Sequence, residues 1–435
     1  MRWHAKEIMN TVKSAFSMGS ALLCKLLAGL VAVKISAHYL GVENFGLSGQ
    51  ISSLIAIVTL LAGGGVTTGL TKIYADTGID TISRDQWRKA AQVLAGSAAL
   101  FLIVIFVALH SEIVNRILDS SVHANLILLS VIVSVLPISL SAIAQGVING
   151  NQQSGLYAKA LLCGSLVGIA GFLLLSSLFG VRGALCGLVW MQIAQALAFC
   201  WMARHFRTGT KFGQLKVPAL GMKVRFLFSF GLLSISAGIT IPLVYILVRS
   251  LVIAHQGAYE LGIWQATVRL SEAYTQLPML MLSVVFFPRF AAHPDQPLKA
   301  TQVRDAYGFV FFLMLCIGVF VGLTRETLVR LLFTSEFHAV SDFVFWQIAG
   351  DTFRMLSYVG TTILAARGFI KLCMLAEFIQ ALLFGGISAL FVTNDLAAAP
   401  FVSYLLTYLI YFLLTVAAVM YFGRRKTSTN ALTDR

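Results

Sequence analysis

The chain has 435 residues, 58% of them hydrophobic and only 11% charged, with a mean hydropathy of +0.84. Soluble domains carry about 25% charged residues, so this composition excludes a soluble enzyme or binding module and places most of the chain in a membrane. A net charge of +14 would suit nucleic acid if it were gathered on a soluble face, but here it is spread over short loops between apolar runs.

The basic start, Met1 to Ser14, leads into an apolar run that carries Lys25 and Lys34 and is too long for a cleavable signal. It is expected to remain as a first span. The periodicity predicts about twelve spans, near 12–37, 46–74, 89–109, 124–149, 157–179, 183–203, 224–252, 262–289, 306–323, 341–366, 370–391 and 400–422. Runs of about 20 apolar residues rule out a transmembrane β-barrel, whose strands need only about 10 alternating residues. With the N-terminus inside, only Arg116, Arg182, Arg325 and Arg330 fall in outer segments. This bias predicts a multi-pass protein with both termini cytoplasmic.

An internal repeat divides the chain. Val114 to Ala124 reads VNRILDSSVHA and Val329 to Ala339 reads VRLLFTSEFHA. His38, Glu43 and Lys72 recur as His255, Glu260 and Arg289 at nearly the same offset. Duplication of a six-span unit predicts residues 1–203 as one bundle, 204–223 as a basic cytoplasmic linker and 224–435 as a second bundle. The expected fold is an all-α polytopic membrane protein. Two pseudo-symmetric six-helix bundles would enclose a central cationic cavity, in a monomer.

Eight ionisable residues lie inside the spans: Lys25, Lys34, Arg249, Arg269, Glu272, Asp351, Arg354 and Glu377. A charge at membrane depth costs several kcal/mol, so such residues face a water-filled cavity or pair with one another. Five are cationic and three acidic, a surplus that suits an anionic substrate. Gln265, Arg269, Glu272 and Gln276 share a helix face, as do Gln347, Asp351, Arg354 and Tyr358. Both sets read as lumen stripes or as helix–helix glue through i,i+3 pairs. Lys25, mid-span among small residues, is expected to face the cavity; Lys34 lies near the outer end and can snorkel. Tyr404 and Tyr408 offer sugar stacking or packing. The run Gly63–Gly65 lacks the GK[ST] of a phosphate loop and reads as a close-packing surface. The carboxylates Glu272, Asp351 and Glu377 are the candidates for ion coupling or gating. The six cysteines all fall in spans without CxxC or a histidine cluster, so no metal or cofactor is expected. No nucleophile stands out and no loop has room for a catalytic domain, so no enzymatic activity is expected.

The segments LAGGGVTTGLTKIYA (Leu61 to Ala75), LGIWQATVRLSEAY (Leu261 to Tyr274), FWQIAGDTFRMLSY (Phe345 to Tyr358) and LAEF (Leu375 to Phe378) resemble the multidrug/oligosaccharidyl-lipid/polysaccharide exporter superfamily. Within it, they resemble the bacterial flippases of lipid-linked oligosaccharides, the O-antigen and lipid III translocases of enterobacterial common antigen synthesis. The resemblance implies an undecaprenyl-pyrophosphate-linked glycan moved from the cytoplasmic to the periplasmic leaflet of an inner membrane. It also implies partners in lipopolysaccharide or related surface-glycan assembly, a polymerase and a chain-length regulator. Lys25, Lys34, Glu272, Asp351 and Glu377 stand where that group carries charge, whereas Arg269 departs from its small polar residue. A drug/cation antiporter of the same superfamily is the alternative, and the cationic surplus argues against it.

Overall fold

A computed structural model describes residues 2–76, 78, 81–118, 123–206, 217–292, 298–396 and 398–422; side chains are described from Cys24 onward, apart from 64, 81–82, 205, 217–220, 230 and 232–237. Residues 207–216 of the expected linker at 204–223 and the C-terminal tail from 423 therefore fall outside the described residues. Lipid offers no partner to a free backbone group, so each segment must close its own hydrogen bonds. Among the described residues there are helices and turns and no strand.

In chain order the helices are α1 (Arg2–Ala75), α2 (Thr81–Ala108), a short α3 (His110–Glu112) entering a π turn at Ile113–Ile117, α4 (Ala124–Gly150) and α5 (Ser154–Met202). Then follow α6 (Val217–Gly238), α7 (Thr240–His255), α8 (Ala258–Met281), a π turn at Leu282–Phe286 and α9 (Phe287–Ala291). The last four are α10 (Ala300–Leu332), α11 (Val340–Ala366), α12 (Ile370–Thr393) and α13 (Ala399–Phe422). At about 1.5 Å per residue an unbroken α1 would far exceed the ~30 Å bilayer core. It turns at Gly41 (φ 63°, ψ 178°), a left-handed conformation that a side chain resists. The break in α5 lies at Gly180. Two prolines mark distortions: the α6–α7 break lies just before Pro242, and Pro278 precedes the π turn that follows α8.

Eight described helical stretches are long and apolar enough to cross a membrane. α11 is not one of them, because Gln347, Asp351 and Arg354 interrupt it. Many large apolar side chains point outward, among them Leu100, Phe312 and Leu323 at 65, 64 and 83% exposure. In water such a surface would aggregate; in lipid it is the solvated one.

The chain forms two compact units, Met1–Leu40 with Leu47–Leu243 and Gly41–Gly46 with Val244–Arg435. In the first, α4 packs against α2 and α5, and α2 against α6. The run Gly63–Gly65 is a close-packing surface, as expected from sequence. A Cβ on Gly65 would lie 2.2 Å from the Gly231 backbone, and one on Gly63 would lie 2.9 Å from Ala142 Cβ. In the second, α11 is central, contacting α8, α10, α12 and α13. Two apolar clusters flank it, one around Trp264, Phe384 and Tyr404, the other around Phe286, Met314 and Met355.

One register recurs between the two halves of the chain. Gly41 and Gly257 both have positive φ, as do Gln152 and Gly368, each pair 216 residues apart (41 and 257; 152 and 368). α4 and α11 start and end with the same separation, at Ala124 and Val340 and at Gly150 and Ala366. Gly46 and Gly262 also correspond. Within the second unit a Cβ on Gly46 would lie 2.6 Å from Leu261 Cγ, and one on Gly262 would lie 1.9 Å from the Val42 carbonyl oxygen. The shared register allows the two halves to be compared position by position.

Candidate functional site

The polar side chains of the second unit converge on Asp351. Its side chain has no exposed surface, and an unpartnered carboxylate there would cost several kcal/mol. Oδ2 accepts from Ser271 Oγ at 2.6 Å, Tyr274 OH at 2.6 Å and Gln347 Nε2 at 3.4 Å. Oδ1 accepts from Tyr404 OH at 2.8 Å and faces Arg354 Nη2 at 3.3 Å. Hydrogen bonds to a charged group contribute about 1.5–3 kcal/mol each, so the three hydroxyls alone offset a penalty of that size. Arg354 also donates to Thr275 Oγ1 at 3.0 Å and stands 5.9 Å from the Tyr404 ring centre, while its Nε has no acceptor among the described residues.

A second guanidinium, Arg249 of α7, is buried at 5% exposure. Its Nε donates to Gln265 Oε1 at 3.1 Å, and it lies against the rings of Tyr245 and Trp264, at 5.1 and 6.0 Å. Cation–π contact of this kind contributes about 2 kcal/mol when desolvated. Trp264, Phe384, Tyr404 and Tyr408 continue as a chain of ring contacts, linking Arg249 to the Arg354 cluster. Arg269 and Glu272 form a separate i,i+3 pair at 2.7 Å, with 21 and 49% of their side chains exposed.

Not every candidate joins this network. Tyr404 and Tyr408 are packed in the core at 1 and 2% exposure, so they act through their hydroxyls and edges rather than as an open stacking surface. The Tyr408 hydroxyl accepts from Gln380 at 3.3 Å. Glu377 is half-buried beside Cys373 and Tyr411 and has no hydrogen bond or ion pair with another described residue. Lys25 and Lys34, on α1, are exposed. A Cβ on Gly29, one turn beyond Lys25, would touch nothing within 4 Å, so this face of α1 is open. Among the described residues no three His, Cys, Asp or Glu side chains group as a metal site. The sequence reading missed Ser271, Tyr274 and Thr275. The signal available was a second polar edge on α8, beside the Arg269–Glu272 stripe.

The shared register separates architecture from specialisation. Gln347, Asp351 and Arg354 correspond, 216 residues earlier, to Val131, Val135 and Ile138; Ser271 and Tyr274 correspond to Ile55 and Val58. All five are buried, at 0, 0, 6, 7 and 0% exposure. The same backbone frame is therefore filled with aliphatic side chains in one unit and with an ionic network in the other. The corresponding positions of the first unit pack without such a network.

Comparison with known proteins gives the family and the fold. A family profile described as polysaccharide biosynthesis protein matches residues 11–293. The lipid III flippase of Escherichia coli (strain K12) is 25% identical over 419 residues, covering 96% of this chain and 100% of that protein, and the lipid III flippase of Shigella flexneri gives the same figures. Among solved structures, an inward-facing multidrug resistance MATE family transporter of the MOP superfamily superposes with a TM-score of 0.74 at 12% identity, covering 91% of this chain and 95% of that one. The lipid II flippase MurJ, in an inward closed conformation, gives 0.72 at 16%, covering 93% and 87%. The fold is that of the MOP superfamily. The family profile spans well over half of the chain, and the protein is therefore a member of the polysaccharide biosynthesis protein family.

Proposed function

We propose that the protein is a flippase for a lipid-linked oligosaccharide, with an undecaprenyl pyrophosphate anchor and a glycan of the O-antigen or enterobacterial common antigen class. The observation that carries this is the cation-bearing network of the second unit, set where the first unit has valine and isoleucine. The polyprenyl tail stays in the bilayer while the pyrophosphate and sugars travel past polar groups. Arg249, held against two aromatic rings, and Lys25, on an open helix face, neutralise the pyrophosphate. Arg354 and Arg269 contact phosphate or sugar, with Lys34 assisting near one membrane surface. Glu377 is the carboxylate assigned to ion coupling.

In this reading the helices make about twelve passages, counting the turns at Gly41 and Gly180 as corners and α6–α7 as one passage. Both termini lie in the cytoplasm, the membrane is the bacterial inner membrane, and residues 204–223 link a 1–203 half to a 224–435 half. A polysaccharide polymerase and a chain-length regulator are the expected partners of the monomer. The fold likeness to a multidrug transporter supports drug/cation exchange as a second reading, which the surplus of intramembrane cations disfavours.

Complementation of a flippase-null strain, with typing of the surface glycan, tests the proposal. Restored surface glycan supports it. Restored drug tolerance in a transporter-null strain, without glycan, supports the second reading instead.

A further inference from the structure

The two Arg–carboxylate pairs on the candidate helices have opposite settings. Glu272 is half exposed and meets Arg269 within one helix, at a single 2.7 Å contact. Asp351 is wholly covered, and donors from α8, α11 and α13 surround both of its oxygens. The acid lies inside and the base at the edge: Arg354 keeps 14% of its side chain exposed, against none for Asp351. Arg354 is further tied to Thr275, and its Nε retains an unused donor among the described residues.

We propose that Asp351 is a positioning residue. Four hydrogen bonds fix its carboxylate, the carboxylate with Thr275 fixes the Arg354 guanidinium, and the guanidinium presents its charge to an oxyanion of the substrate, the pyrophosphate of the lipid anchor. This rests on the flippase reading and agrees with its assignment of ion coupling to Glu377. A carboxylate already saturated by Ser271, Tyr274, Tyr404 and Gln347 is poorly suited to take up and release an ion in each cycle, so coupling falls to another acid. At the corresponding positions of the first unit the buried residues are Val135 and Ile138, so the repeated frame packs there without an ion pair. Arginine suits the role because its planar fork can engage Asp351 and Thr275 while a further edge remains for a phosphate oxygen; lysine offers a point charge only.

The test measures, on the purified full chain, how far undecaprenyl pyrophosphate is preferred over uncharged undecaprenol. Wild type should prefer the pyrophosphate. Asp351→Asn and Arg354→Lys should each reduce that preference about tenfold, the scale of losing one well-placed charge contact, and the double variant should lose little more than either alone. A residue with only a structural role would lower the amount of folded protein without changing the preference. Tyr274→Phe, which removes one donor and no charge, should give a smaller loss in the same direction and covers the case that Asp351→Asn does not fold. Folded Asp351→Asn with unchanged preference overturns the proposal, and so does Asp351→Asn that loses only ion-gradient dependence of flipping. A wild-type chain without any preference removes the phosphate reading of the site itself, and this proposal with it.

Discussion

Removing Asp351 alone should destabilise the protein far more than removing the whole ionic network. In Asp351→Leu, Arg354 loses its counter-ion in a setting where breaking a buried pair costs about 3–5 kcal/mol. The hydroxyls of Ser271, Tyr274 and Tyr404, 2.6–2.8 Å from the carboxylate, lose their acceptor as well, at about 1–3 kcal/mol for each that finds no other. That sum approaches the whole stability of a typical domain, about 5–15 kcal/mol. In Asp351→Leu/Arg354→Met/Tyr274→Phe/Tyr404→Phe the charges and two of the three hydroxyl groups go together at similar volume. Ser271 can turn its hydroxyl to the carbonyl one turn back. Apolar replacement of buried ion pairs is often neutral or stabilising by about 1–4 kcal/mol, and the valine and isoleucine at the corresponding positions show that the frame accepts it. The assay is thermal unfolding in detergent alongside surface-glycan complementation. The single variant should be scarce or unfold early, and the quadruple variant should melt near wild type yet fail to support glycan display. A stable quadruple variant that complements fully would refute the reasoning, since the network would then be packing alone.

Gly262→Ala places a methyl against the Val42 backbone, which cannot rotate away, and should lower the melting temperature by the equivalent of about 1–3 kcal/mol; Gly29→Ala meets open space and should hold or raise it by up to about 1 kcal/mol. Arg249→Lys keeps the charge but loses the planar face set against Tyr245 and Trp264, so pyrophosphate affinity should fall although net charge does not change. Glu377→Gln should remove ion-gradient dependence from flipping in proteoliposomes while leaving substrate binding intact, and a wild type indifferent to any gradient would show that the carboxylate is structural.

Much of this was legible in one dimension because membrane segments announce themselves by length and hydropathy, and because i,i+3 pairs are local. Arg269–Glu272 and Arg354–Asp351 could be read from spacing, and both pairs are present. The partners that distinguish the two pairs could not. Ser271 and Tyr274 lie about 80 residues from Asp351, and their meeting is set by how α8 packs on α11. Tyr404 and Tyr408 share a helix face with no local mark of what covers it, and tertiary packing decided that they are core. The glycine run at 63–65 was easier, since small residues in an apolar span have few uses other than close approach. The repeat is inferred from sequence matches at offsets of 215 and 217, whereas the positive-φ corners and helix ends align at 216, so the individual residue matches fall one position out of register.

The central claim is that the chain moves a pyrophosphate-linked glycan across a bilayer. Purified protein in liposomes loaded with undecaprenyl-pyrophosphate oligosaccharide, with a membrane-impermeant lectin or glycosidase reporting the outer leaflet, tests it directly. The account predicts protein-dependent appearance of the glycan outside, lost in the folded quadruple network variant. Transfer no faster than in protein-free liposomes, under every ion gradient supplied, would contradict it.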